Sequence, residues 1–200
     1  MKILLVGATG TLGASVYAVL RERGHTVVTA SRSGSQLAVD IANPHAISAM
    51  YAQAGRLDAV ACAAGSVPWK RFTALVYQDA LDGVTGKVLS QFELVRQGTA
   101  HLTEAGSFTL ITGVTARDAV PTGSIASLTN GAIESFVRAA AMELPQRQRI
   151  NAVSPTVFTE SIDRYGATFA GFVPVPVQEA AQAYVRSIEG GQTGQIYVVG

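Results

Sequence analysis

Three glycines in the run Gly7-Ala8-Thr9-Gly10-Thr11-Leu12-Gly13 are spaced so that backbone amides, rather than side chains, would do the binding. Glycine lets the chain turn sharply, lets the backbone approach a phosphate, and lets the next helix pack closely on the segment before it. A helix starting there turns its free N–H groups and the positive end of its dipole toward an anion. The run follows a strand-like segment, Lys2-Ile3-Leu4-Leu5-Val6, and precedes a helical pattern. The chemistry it points to is the cradling of a dinucleotide pyrophosphate by Gly7, Thr9, Gly10, Thr11, Leu12 and Gly13. Its Gly-x-x-Gly-x-x-Gly spacing is one residue off the strictest pattern, so the strand–turn–helix setting carries the reading.

Binding sites that favour NAD place an acidic residue at the end of the second strand, where it accepts from the ribose hydroxyls. This chain has Ser31-Arg32-Ser33 there. A guanidinium flanked by hydroxyls suits a 2'-phosphate, so the expected cofactor is NADP(H), the other reading of Arg32 being a solvated loop arginine. Asp40, with Ile41 beside it, is a candidate contact for the adenine amino group or the cap of a turn leading to Asn43.

The elements that must position these groups follow from the apolar pattern. Short runs rich in Val and Ile at residues 2–6, 26–30, 36–39, 57–63, 108–112, 149–153 and 195–199 read as buried parallel strands. Helical candidates lie between them at 12–23, 44–54, 77–97, 127–144 and 178–189, with Asn43 as a cap and Gly24, Gly55, Pro145 and Gly190 as stops. Alternation of this kind predicts one α/β domain over residues 1–200, a Rossmann-type doubly wound fold. Its sheet is expected to be seven-stranded and mostly parallel, with helices on both faces and ligands at the carboxyl ends of the strands.

Composition narrows the partners. The 200 residues are 48% hydrophobic and 14% charged, enough for one substantial core, and the net charge of +1 is scattered. Such a surface offers no electrostatic footprint for nucleic acid or an anionic membrane. No stretch approaches the ~20 apolar residues of a membrane span, and the first apolar run reads as a strand rather than a signal peptide, so a cytoplasmic location is expected. A lone cysteine, Cys62, and three histidines without ligand spacing predict neither a disulfide nor a metal site, and the histidines read as solvated. With no Gly-x-Ser-x-Gly elbow and no Walker lysine, hydrolase and phosphoryl-transfer chemistry have no anchor. Alanines 132 and 139–141 on the helix at 127–144 point to helix-on-helix association, as a homodimer, or to packing on the chain's own sheet.

Over nearly its whole length the chain resembles the short-chain dehydrogenase/reductase family. The glycine run is similar to that family's cofactor loop. Cys62-Ala63-Ala64-Gly65 resembles its Asn-Asn-Ala-Gly motif, Ile150-Asn151-Ala152-Val153-Ser154-Pro155 its sixth strand, and Thr193-Gly194-Gln195-Ile196-Tyr197-Val198-Val199 its final strand. The resemblance implies that Ala63, Ala64, Gly65, Pro155, Val157 and Thr159 line the cofactor. It also implies a Tyr-x-x-x-Lys pair, and here those positions hold Ala126 and Asn130. The family's serine falls near Thr112-Gly113, and a structural asparagine position holds Lys87.

Carbonyl reduction needs a hydride and a proton, or hydrogen bonds for the developing alkoxide. Lys87 is the candidate donor, with Thr112 and Asn130 as hydrogen-bonding candidates beside Thr115 and Ser127. Val67, Trp69, Val114 and the segment 158–172 predict an apolar pocket, and residues 163–171, containing Tyr165, resemble a short lid. Two functions are compatible with this pattern: an NADP(H)-dependent oxidoreductase acting on a small carbonyl or alcohol through a rebuilt site, and a non-catalytic NADP(H)-binding redox sensor or regulator.

Overall fold

The structure, a computed structural model, describes residues 1–200, the burial of Gly166 excepted. Strands β1 (Lys2–Val6), β2 (Thr26–Ser31), β3 (Leu37–Ala38), β4 (Leu57–Cys62), β5 (Leu102–Ile111), β6 (Arg149–Pro155) and β7 (Ile196–Val199) form one sheet in the order β3-β2-β1-β4-β5-β6-β7. Every pairing is parallel. Parallel strands need crossovers, and these are α1 (Thr11–Glu22), α2 (Pro44–Ala54), α3 (Tyr77–Gly83), α4 (Ser90–Gly98), α5 (Ser124–Ala140), the short α6 (Ile162–Tyr165) and α7 (Val177–Glu189).

Alternation along β1 sets the layers. Ile3 and Leu5 pack with Val16 and Leu20 of α1 and Tyr184 of α7. Leu4 and Val6 face Tyr51 of α2, Leu94 of α4 and Ile133 of α5. A strand buried on both faces must be continuously apolar, as β1 is. Tyr51 and Tyr184, fully buried in these layers, keep their hydroxyls satisfied: Tyr51 donates to the Leu94 carbonyl at 2.6 Å and Tyr184 to that of Cys62 at 2.6 Å.

Strand order reverses between β1 and β4, so their carboxyl ends open the crevice where such sheets bind ligands. Helix α2 has the expected bounds because its signals are local: Asn43 Oδ1 accepts from His45 N–H, Pro44 opens the helix, and Gly55 takes a φ of +70°. Several boundaries move, among them the start of α5, at Ser124 rather than 127. β5 begins at Leu102 rather than 108, because an irregularity after Leu57 admits extra residues and puts Ala105 at a φ of +58°. α5 closes at Ala140 rather than Leu144, where tight turns take over ahead of Pro145. Ala132 and Ala139 of α5 are exposed, whereas Ala140 is in the core of its own sheet.

Between α3 and α4, Val84–Leu89 form a π-helical segment in an otherwise unbroken run. The wider turn is a local irregularity of a kind often found at functional sites, and it carries Lys87.

Candidate functional site

At the carboxyl end of β1 the backbone folds into a cradle that side chains would fill. Gly7 has a φ of +86°, and a Cβ there would lie 2.8 Å from the Ala64 methyl. At Gly13 a Cβ would lie 2.0 Å from the Gly7 carbonyl oxygen, so α1 can pack against its own approach loop only as glycine. No side chain caps the N-terminus of α1, which leaves its first N–H groups for an anion.

In front of this cradle lies a cleft of about 520 Å³ lined by Gly7, Thr9, Gly10, Ser31, Arg32, Ser33, Asp40, Ile41, Ala63, Ala64 and Gly65. Thr11, Leu12 and Gly13 stand behind it in the first turn of α1. The Ser31 hydroxyl shapes the loop, donating to the Ser33 carbonyl at 2.5 Å and pairing with Ser35 Oγ at 2.7 Å. Asp40 borders the cleft and also caps its turn, accepting from Ala42 N–H at 3.1 Å. A glycine cradle, an uncapped helix start and a free-standing Arg32 fit a nucleotide with phosphate groups.

A second cavity of about 760 Å³ shares Gly10, Arg32, Gly65 and Ser66 with the first. Val67, Trp69, Val114, Val157, Phe158 and Phe169 give it an apolar wall. Its lid is packed rather than open: Tyr165 sits 5.5 Å from the Trp69 ring and 5.4 Å from that of Phe169. Pro155 and Val157 line this cavity, but Thr159 is exposed at the start of a short turn and lines neither space.

Lys87, Thr112, Ala126 and Asn130 all border the second cavity. Ala126 and Asn130 lie one helical turn apart on α5 and therefore share a face, so they bring one methyl and one carboxamide to the cavity wall. The methylenes of Lys87 lie against Gly65, where a Cβ would come within 3.0 Å of its Cγ, and its Nζ is 3.5 Å from the Thr112 carbonyl. Burial is the main influence on this ammonium and lowers its pKa to about 8, opposed by the nearby Cys62. Burial pushes the Cys62 thiol up to about 12, against any nucleophilic role.

The Thr112 hydroxyl does not stand free. It donates to Glu134 Oε1 at 3.3 Å, within a buried network in which Arg117 pairs with Glu134 at 2.5 Å and Ser154 donates to the same carboxylate at 3.1 Å. Thr112 therefore offers Lys87 its carbonyl, while its hydroxyl holds the framework. Asn130 donates to Thr115 Oγ1 at 2.8 Å, but its own Oδ1 is buried without a partner, as is Thr156 Oγ1 in the same cavity.

Several lining residues, among them Arg164, Ser66 and Thr122, are not singled out by sequence. Arg164 precedes Tyr165 on the lid, which is the only signal that could have found it. Two of the three histidines differ from the solvated reading: His25 lies 2.8 Å from Glu189 and His101 stacks on Tyr51 at 4.9 Å, whereas His45 is exposed. Among the described residues no cluster of His, Cys, Asp and Glu has metal-holding geometry, and no helix is long and apolar enough to cross a membrane.

Comparison with known proteins agrees with this architecture. The family profile described as enoyl-(acyl carrier protein) reductase matches residues 8–183. A short-chain dehydrogenase/reductase of Pestalotiopsis microspora is 34% identical over 103 residues, which cover 50% of this chain and 39% of that relative. The protein lin1944 of Listeria innocua has a solved structure with a TM-score of 0.98, 42% identity and complete coverage of both chains. A small-chain dehydrogenase solved with NADPH shares the fold at a TM-score of 0.87 and 23% identity, over 100% of this chain and 96% of its own. With a profile match across most of the chain, and with the cradle and switch-point crevice in place, the chain belongs to the short-chain dehydrogenase/reductase family of nicotinamide-cofactor oxidoreductases.

Proposed function

We propose that the chain is an NADP(H)-dependent oxidoreductase that interconverts a small carbonyl and its alcohol, with Lys87 as the proton donor in place of the missing tyrosine. The observation that carries the reading is the position of Lys87. It borders the second cavity and packs on Gly65, a residue common to that cavity and the cofactor cleft, and its pKa is lowered to about 8. An acid with a pKa near the working pH is well matched to proton transfer.

When bound, a reduced nicotinamide supplies a hydride to the carbonyl carbon and is itself oxidised. The glycine cradle would hold the pyrophosphate, and Arg32 the 2'-phosphate, by a charge-assisted hydrogen bond. Ala63, Ala64 and Gly65 would lie along the cofactor, as would Pro155 and Val157. Lys87 would give its ammonium proton to the substrate oxygen as the C–H bond forms, then recover a proton from solvent. The aromatic wall of Trp69, Tyr165 and Phe169 would exclude water and select apolar substrates.

A titration of the protein with NADPH, NADP and NADH tests the first half of the reading, and a carbonyl screen with Lys87→Met as control tests the second. Preference for the phosphorylated cofactors with Lys87-dependent turnover supports both. The alanine at position 126 favours the second reading, a non-catalytic NADP(H) sensor, which predicts cofactor binding without consumption. We also propose a homodimer. Leu89, Phe92 and Leu128 expose apolar surface on the π-helical segment, α4 and α5, and sedimentation analysis tests whether a second copy covers it.

A further inference from the structure

We propose that Thr115 and Asn130 form a hydrogen-bonding couple that grips the substrate oxygen, Thr115 as a catalytic donor and Asn130 as the residue that positions it. The proposal rests on the carbonyl-reductase reading above and adds to Lys87 a second contact with the reacting oxygen.

Thr115 is 5% exposed and Asn130 4%, and both line the second cavity. Asn130 Nδ2 donates to Thr115 Oγ1 at 2.8 Å. A hydroxyl that accepts this bond keeps its own proton for another acceptor, and among the described residues the protein supplies none. The Thr115 O–H is therefore available to an oxygen in the cavity. On the other side of the couple, Asn130 Oδ1 is buried with no partner. Native interiors rarely leave such atoms orphaned, and one at a cavity wall calls for a ligand or ordered water. A carbonyl in the cavity has the lone pair to satisfy the Thr115 O–H. The couple thus presents one donor, held in place by the Asn130 bond, to a cavity where a preorganised donor to developing negative charge is worth most.

Two neighbouring positions are not available for this role. Thr112 is tied to Glu134, and Ala126 carries no polar group. Helix α5 fixes Asn130, and the close approach of Gly113, whose Cβ would lie 3.1 Å from Asn130 Nδ2, keeps the segment carrying Thr115 against it.

The chain has a single tryptophan, Trp69, which lines this cavity, so its fluorescence reports occupancy directly. The probe is 9,10-phenanthrenequinone, a flat aromatic diketone that suits the Trp69 wall. Its binding is followed by quenching in the presence of saturating NADP, where no turnover occurs, and separately by NADPH-dependent reduction. Thr115→Val and Asn130→Ala are expected to weaken quinone binding about 5- to 10-fold. Thr115→Val should also lower kcat by about 100-fold. Thr115→Ser is expected to restore both, and the double variant to be no worse than Thr115→Val. Calorimetric NADPH affinity, unchanged in every variant, reports on the cofactor reading alone, so loss of that reading is seen separately. Equal quinone binding and turnover by Thr115→Val and the native chain overturn the proposal, as does a native chain whose Trp69 fluorescence the quinone leaves unaltered. Should Asn130→Ala melt early, the near-isosteric Thr115→Val and its serine rescue decide the matter.

Discussion

Replacing Lys87 by Met tests whether a buried ammonium has been placed at the junction of the two cavities. Met preserves the methylene contact with Gly65 and removes the charge. In the folded chain the lysine releases its proton at about 8 instead of 10.5, chiefly through burial. At about 1.4 kcal/mol per tenfold change in proton affinity, holding the charge would cost the fold about 3 kcal/mol at neutral pH. Because the side chain is only half-buried by surface, solvent screening reduces this to about 1–3 kcal/mol. The sign follows from linkage. Between pH 8 and 10.5 the unfolded chain still binds the proton that the folded chain has released, so native stability rises with pH across that window. Lys87→Met is therefore expected to melt about 2–12 °C above the native protein at pH 7, with the advantage shrinking toward pH 10.5. Carbonyl reduction by the native protein should fall as pH rises through about 8, while alcohol oxidation should rise, and the variant should lose about 10²–10⁴ of either rate. Thermal melts at stepped pH, with rates in both directions, provide the measurement. A variant that melts below the native protein at pH 7, by a margin independent of pH, would refute the argument.

Arg32→Ala is expected to weaken NADPH about 10- to 100-fold and leave NADH nearly unchanged, as loss of a charge-assisted bond to the 2'-phosphate requires; equal losses in calorimetry would remove Arg32 from that role. Gly13→Ala would drive its methyl to 2.0 Å from the Gly7 carbonyl, so it should abolish cofactor binding and lower the melting temperature, whereas normal binding would contradict the cradle. Glu134→Gln should destabilise the fold by about 2–3 kcal/mol in urea titration, less than a fully buried pair because Arg117 is one-third exposed, and a neutral result would show the network to be unimportant to stability.

The cofactor side was largely legible in the sequence because its determinants are local. Glycine spacing, the Ser31-Arg32-Ser33 turn and the Asn43–Gly55 helix each depend on a few adjacent residues. What the sequence did not reveal depends on contacts across the fold. Only packing shows that the Thr112 hydroxyl turns to Glu134, that Thr159 faces solvent, or that Arg164 reaches the cavity. The start of β5 is hidden because the chain leaves strand periodicity at Ala105. Likewise, apolar spacing across 77–97 predicts a helix, but it does not reveal the π turn that carries Lys87.

A protein that only sensed its cofactor would need the cleft in front of Gly7 and a surface that responds to it. It would not need a second cavity with an aromatic wall, a half-buried ammonium and two orphaned polar oxygens, on Asn130 and Thr156. Each of these features costs stability when nothing is bound, since desolvated charge and unpaired polar atoms both oppose folding. All of them border one space beyond Gly65, where a carbonyl in reach of a cofactor in the cleft could accept from the Lys87 ammonium. With alanine at position 126, Lys87, Thr115 and Asn130 still gather at one cavity and offer polar groups to a bound oxygen. That convergence favours catalysis over sensing.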